Sequence, residues 1–167
     1  FMEGTHSWLD NLKLRVGYGI TGNQNGVDPY KSLSVLSSAG ASYYDAATGT
    51  WKNSYVQAQN ANPDLKWEST AQFNVGVDFG FLNRINGSLE FYHKKTSDLL
   101  WTYPVPQPPY LVGTMLANVG DMVNKGVELT LGANIVRTKD FSLSANASLE
   151  YNKQEITKLS NSQYQAV

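Results

Sequence analysis

The chain contains no cysteine. That absence excludes a disulfide-stapled scaffold and any metal site built on thiolates. Charge is scarce as well: 16% of the residues are Asp, Glu, Lys or Arg, against roughly a quarter in an average soluble domain. The 13 basic and 14 acidic residues almost cancel, leaving a net charge of −1. Nothing electrostatic therefore recommends nucleic acid as a partner. No apolar run approaches the about 20 residues of a membrane-spanning helix. The only histidines are His6 and His93, far apart and without metal-ligand spacing. His93 stands beside Lys94 and Lys95 and is expected near a strand end, in an interfacial or loop role. Phosphate-binding glycine loops, the zinc-binding HExxH helix and the GxSxG nucleophile elbow are all missing. No enzyme, cofactor or metal is expected. The opening residues, Phe1-Met2-Glu3-Gly4, do not read as a signal peptide.

What the chain has instead is alternation. Odd positions of 71–81 are Ala71, Phe73, Val75, Val77, Phe79 and Phe81; the even ones are Gln72, Asn74, Gly76, Asp78 and Gly80. Side chains of a strand point to opposite faces in turn, so one face here is apolar and the other polar or bare. Leu12, Leu14, Val16, Tyr18 and Ile20 repeat the pattern, with Lys13, Arg15, Gly17 and Gly19 opposite. Three more stretches follow it, at 85–95, 126–136 and 141–151. In the last, Leu143, Ala145, Ala147 and Leu149 oppose Ser144, Asn146, Ser148 and Glu150. Strands of about 10 residues, half apolar and half polar, match tilted strands crossing a bilayer. Aromatics make up 12% of the chain, ten of them Tyr, which suits a barrel with polar loops and interior.

The connections alternate in length. Residues 21–70 form a long polar excursion, with a short strand expected at 30–36 and loop at 39–50. Leu82-Asn83-Arg84 is a tight turn, 104–123 is a second long connection containing the Pro-rich loop 104–116, and 137–140 is a second short turn. Outer-membrane barrels keep short turns on the periplasmic side and long loops outside. The fold class read from this is all-β: an antiparallel transmembrane β-barrel segment of about 5–6 strands. The tail, 152–167, is polar and shows no period. Five strands are too few to close a barrel, for which about 8 are needed, so the segment is expected to belong to a larger one.

At Asn62-Pro63-Asp64-Leu65-Lys66-Trp67-Glu68, followed by the 71–81 strand, the sequence resembles the SusC/RagA-type branch of TonB-dependent outer-membrane transporters found in Bacteroidota. Three further segments agree in order: Leu12-Lys13-Leu14-Arg15-Val16-Gly17-Tyr18-Gly19 running into Thr21-Gly22-Asn23-Gln24, then Tyr92-His93-Lys94-Lys95-Thr96-Ser97-Asp98-Leu99-Leu100, then the stretch from Asn118-Val119-Gly120-Asp121 to Gly126-Val127-Glu128. The resemblance covers roughly 12–160. It implies a plugged barrel of about 22 strands, of which 1–167 would be an internal slice toward the C-terminal half, without a plug domain. It also implies energised import of oligosaccharides or peptides, contact with TonB through another part of the protein, a SusD-like surface lipoprotein as partner, and residence in the outer membrane.

Candidate roles follow from the faces. Phe73, Val75, Val77, Phe79, Leu129, Leu131, Leu143 and Leu149 are expected to meet lipid; Asp78, Glu128, Asn134, Asn146 and Glu150 are expected to line the lumen. Paired carboxylates can hydrolyse glycosides, but Asp78, Glu90, Glu128 and Glu150 on polar strand faces are read as lumen-lining acids. Gly17 and Gly19, on one face, suit close packing of a plug. Tyr43, Tyr44, Trp51 and Tyr55, in the first long loop, are the candidate contacts for ligand or partner, because each offers a flat apolar body, and the tyrosines and Trp51 a polar tip. Trp101 and Tyr103 suit interface anchoring as well. The alternative reading is a soluble secreted β-sandwich, glycan-binding or adhesin-like, whose apolar faces would pack sheet on sheet.

Overall fold

The computed structural model describes residues 8–159, so His6 lies outside it. Among these residues there are seven strands and no helix: β1 (Leu9–Asn23), β2 (Val35–Asp45), β3 (Thr50–Gln59), β4 (Glu68–Phe81), β5 (Ile85–Pro104), β6 (Thr114–Arg137) and β7 (Ser142–Lys158). Five form one sheet in the order β1-β4-β5-β6-β7, and β2 pairs with β3 in a second. Strands that follow one another in the chain and lie side by side in the sheet make an up-and-down antiparallel meander. The chain packs as two units. Of the described residues, a wall unit comprises 8–21, 70–96 and 122–156; a loop unit comprises 22–69, 97–121 and 157–159.

The wall unit follows the alternation closely. Its apolar positions stay open: Leu12, Leu14, Val16, Tyr18 and Ile20 on β1, Leu89 and Phe91 on β5, Ile135 on β6, and Leu143, Leu149 and Tyr151 on β7 are all exposed, Leu14 by 68%. The opposite face is knitted together. Arg15 on β1 places its guanidinium 2.9 Å from Asp78 on β4 and 3.2 Å from Glu90 on β5. Gly76 leaves it room: a Cβ there would lie 3.0 Å from Arg15 Nη2. The buried Tyr92 of β5 folds over Gly126 of β6, where a Cβ would come within 2.5 Å of the phenol oxygen. Gly17 is covered by Asn74 from β4, whereas Gly19 has open space above it.

Two tight turns close this unit. In 81–84, Arg84 N–H donates to Phe81 O at 3.0 Å, with φ of 54° at Leu82 and 50° at Asn83. Two central residues with positive φ define a type I′ hairpin turn, whose twist matches that of the strands. Leucine is uncommon in that region, and the turn is held from outside: Leu82 N–H donates to Trp8 O at 3.0 Å, and Asn83 N–H donates to the Asp10 carboxylate. At the second turn Thr138 N–H donates to Phe141 O at 2.7 Å, and Phe141 N–H returns to Thr138 Oγ1 at 3.0 Å. Aromatic rings gather beside the first: Trp8 stacks on Phe81 with centroids 6.0 Å apart, and Phe79 tilts against Phe81 at 5.5 Å.

The structure departs from the sequence expectation in four places. Residues 39–50, expected as loop, hold the paired ends of β2 and β3 and the turn 46–49 between them. β2 carries bulges there, with register shifts between Ser38/Gly40 and Ala41/Tyr43. Bulges interrupt the alternation by which a strand is read. The second long connection shrinks to 105–113, because β6 begins at Thr114 rather than 126. Its buried Met115, Ala117 and Val119 alternate with Leu116 and Asn118, but Gly120 and Asp121 break the polar–apolar rhythm of the rest of the strand. At the chain's other end β7 continues to Lys158, although 152–158 is polar; Lys153 and Glu155, two apart on one face, pair at 2.9 Å. His93 likewise lies within β5 instead of near its end.

Candidate functional site: the loop unit and its aromatic hairpin

The β2–β3 hairpin is built around one turn. Gly49, at φ 65°, donates its N–H to Asp45 O at 2.8 Å. The Asp45 carboxylate accepts Ala47 N–H at 3.0 Å and Thr48 Oγ1 at 2.7 Å. The Thr48 hydroxyl, helped by the Ala47 and Thr48 amides and opposed by partial desolvation, holds the Asp45 carboxyl below its ordinary range. An aspartate that accepts from the residues after it is a strong turn former.

Register decides which aromatics meet. Tyr44 lies opposite Trp51, Tyr43 opposite Lys52, and Ser38 opposite Tyr55. Residues directly opposite share a face, and β3 alternates through this stretch. Tyr44, Trp51, Asn53 and Tyr55 therefore present one face, and Tyr43 presents the other beside Lys52. Tyr44 and Trp51 touch edge-on with centroids 5.5 Å apart at 62°. All four aromatics are more than half exposed, Trp51 by 64%. The structure thus brings together three of the four candidates and separates Tyr43 from them.

The hairpin's root is as buried as its tip is open. Asn60 and Asn62 are 3% and 6% exposed. Asn60 Nδ2 donates to Val112 O and Thr114 O, and its Oδ1 accepts Val112 N–H at 3.3 Å and Gln57 Nε2 at 3.1 Å. Asn62 Nδ2 donates to Leu116 O at 2.8 Å. Asn118 exchanges two bonds with the Lys66 backbone, at 2.8 and 2.9 Å, and donates to Asp98 O at 2.7 Å. Glu68 accepts Asn23 Nδ2 at 2.9 Å and Leu100 N–H at 3.0 Å. Buried amides cost stability unless paired, and here the Asn60 side chain uses both donors and both acceptor lone pairs. Nearby, Asn62, Pro63, Asp64, Tyr103, Pro106 and Tyr110 help to line a cleft of about 550 Å³. Trp101 is exposed. Trp67, which the sequence reading did not single out as a ligand contact, is 60% exposed and borders a cleft of about 660 Å³ with 24–32.

Among the described residues no group of three or more His, Asp or Glu is placed to hold a metal ion. In the wall unit the acids have other employment: Asp78 and Glu90 face Arg15 rather than each other across an open cleft.

Comparison with known proteins agrees with this architecture. Residues 5–166 match the family described as TonB dependent receptor-like, beta-barrel. The chain is 41% identical over 154 residues to TonB-dependent receptor SusC of Bacteroides thetaiotaomicron, covering 90% of this chain and 15% of the relative. It is 32% identical over 155 residues to TonB-dependent receptor P39 of Formosa agariphila, covering 92% and 14% respectively. Among solved structures, that of the RagAB peptide transporter is similar with a TM-score of 0.75 at 34% identity, over 95% of this chain and 17% of that one. The open-open state of the RagAB peptide importer gives 0.79 at 33% identity, over 94% and 17%. The chain thus spans about a sixth of the length of these relatives. The β-sandwich alternative is set aside, since the likeness is to a barrel. The chain belongs to the TonB-dependent receptor β-barrel family, in its SusC/RagA-type branch, and forms part of the wall of an outer-membrane barrel.

Proposed function

We propose that this segment supplies barrel wall and extracellular loops to a TonB-energised nutrient importer that works with a SusD-like lipoprotein. In this reading the connections 24–67 and 105–113 face the outside, and the turns at 82–84 and 138–141 face the periplasm. The apolar positions of the wall strands, even on β1 and odd on β4 to β7, meet lipid; Asp78, Glu128, Asn134, Asn146 and Glu150 line the lumen. The segment carries no chemistry of its own and is not an enzyme. The substrate is an oligosaccharide or a peptide; the solved relatives are peptide transporters. Energy coupling and the plug belong to the rest of the importer.

The observation that carries the loop assignment is the exposed, uncharged face of Tyr44, Trp51, Asn53 and Tyr55. Connection alone does not require three exposed rings on one side of a hairpin. Rings with an amide between them offer stacking and hydrogen bonding together, which suits a sugar or a peptide group. Replacing Tyr44, Trp51 and Tyr55 together by Ala in the full-length protein is expected to weaken substrate binding or lipoprotein association while the barrel still assembles. Tyr43→Ala, on the opposite face, is expected to do less. Uptake and complex formation unchanged in the triple variant would contradict the assignment.

A further inference from the structure

The segment that carries the family signature, Asn62-Pro63-Asp64-Leu65-Lys66-Trp67-Glu68, is outside the strands until Glu68 opens β4, and its geometry has a clear logic. Asn62 opens a turn: Asp64 N–H donates to Asn62 Oδ1 at 3.2 Å and Leu65 N–H to Asn62 O at 3.2 Å. Pro63 occupies the second turn position, where its fixed φ is wanted. From Asn60 onward the segment advances beside β6 in step. Asn60 bonds to Val112 and Thr114, Asn62 to Leu116, and Lys66 to Asn118. Side-chain amides here satisfy backbone groups that a neighbouring strand would otherwise take.

The same segment is tied on its other side. Asn62 N–H donates to Ser32 O at 2.9 Å. Gln59 Nε2 reaches the carbonyls of Tyr30, Lys31 and Leu33 at 3.0, 3.0 and 2.8 Å. These bonds hold the approach to β2, while Gln59 is the last residue of β3. Both legs of the hairpin are therefore gripped at one level. Asn60 and Asn62 are buried, the first saturated and the second bonded at both side-chain polar atoms, so breaking either grip strands amides and carbonyls away from water.

We infer that Gln59, Asn60, Asn62 and Asn118 form an amide clasp that fixes the root of the β2–β3 hairpin, so that Tyr44, Trp51 and Tyr55 are presented by a rigid arm and not by a swinging loop. These are positioning residues: none belongs to the aromatic face. The inference rests on the proposed role of that face. A pre-set arm spares a ligand the cost of ordering a loop.

The test uses the full-length importer in bilayers, with spin labels at Thr48 in the hairpin tip and Trp101 on β5, other cysteines having been removed. The parent is expected to give one narrow distance. The double substitution Asn60→Ala with Asn62→Ala is expected to lose it for a broad distribution, and to weaken substrate binding although every aromatic is intact. Should that variant not assemble, Asn60→Asp keeps the acceptor and removes both donors, and is expected to broaden the distribution in the same direction. An unchanged narrow distance in whichever variant assembles would overturn the clasp. The Tyr44, Trp51 and Tyr55 triple variant separates the two ideas: it is expected to keep the narrow distance while losing binding. If it keeps both, the aromatic face is wrong and the clasp stands.

Discussion

The two units solve opposite solvent problems with the same kind of element. In the wall unit large apolar side chains are exposed along whole strand faces, while the polar face carries the ordered contacts: Arg15 between Asp78 and Glu90, Asn74 over Gly17, Tyr92 over Gly126. In the loop unit Val105, Met115, Ala117 and Val119 are buried, and the buried amides of Asn60 and Asn62 are hydrogen-bonded. A wall that leaves Leu14, Val16, Tyr18, Leu149 and Tyr151 uncovered is what the proposed function requires of a strand face in hydrocarbon. A unit that hides small apolar residues and bonds its buried asparagines suits water. We propose that the contrast reflects two solvents, lipid along the wall's apolar face and water around the loop unit.

The largest expected effect comes from violating the wall's solvent. Val77→Arg on the apolar face of β4 is expected to cost about 2–4 kcal/mol in a bilayer-inserted barrel, whereas Ser144→Arg on the polar face of β7 costs far less. Folding into liposomes against denaturant measures both, and equal costs would erase the distinction between faces. A somewhat smaller effect is expected from the polar face's packing. Gly126→Val drives a side chain toward the Tyr92 hydroxyl at 2.5 Å and Tyr151 O at 2.7 Å, and overpacking of this kind costs about 1–3 kcal/mol. Gly19→Ala, with nothing within 4 Å, is expected to be close to neutral in the same assay.

The smallest effect belongs to the loop unit and is a pH effect. The Asp45 carboxyl is held below its ordinary value of 3.8, chiefly by the Thr48 hydroxyl. A depressed folded value means the turn's stabilisation is fully present above the unfolded carboxylate range and is lost as pH falls through the folded one. Hydrogen exchange at Ala47 and Gly49, corrected for intrinsic rates, is expected to be flat across neutral pH and to lose protection only below about pH 4. Asp45→Asn is expected to lack that acid step. Protection lost near neutrality would show that another group controls the tip.

The wall was legible because its physics is periodic. Alternation in 12–20, 71–81, 126–136 and 141–151 survives translation into strands almost position by position, and Leu82-Asn83-Arg84 is the turn it was expected to be. Strands whose both faces meet water do not alternate, which is why β2 and the far end of β7 were invisible. The bulges around Gly40 and Ser42 removed what period there was. The candidate site was half legible. Residue type pointed to Tyr43, Tyr44, Trp51 and Tyr55, but which of them share a face depends on a register that Asp45 and Gly49 set, and Tyr43 falls on the other side. The clasp could not be read at all: Asn60 finds Thr114 at a separation of 54 residues, and a buried asparagine has the same letter as a loop one.

The most direct test of the central claim, that one wall face meets lipid and the other an aqueous lumen, is spin-label accessibility along β7 in the full-length protein reconstituted in bilayers. Single labels are placed at successive positions from Leu143 to Glu150, and collisions are measured with oxygen, which concentrates in hydrocarbon, and with a water-soluble nickel complex. The account predicts a period of two in both, in antiphase, with oxygen favoured at Leu143, Ala145, Ala147 and Leu149 and nickel at Ser144, Asn146, Ser148 and Glu150. Equal access of the nickel complex to both sets, or the two profiles rising and falling together, would contradict it.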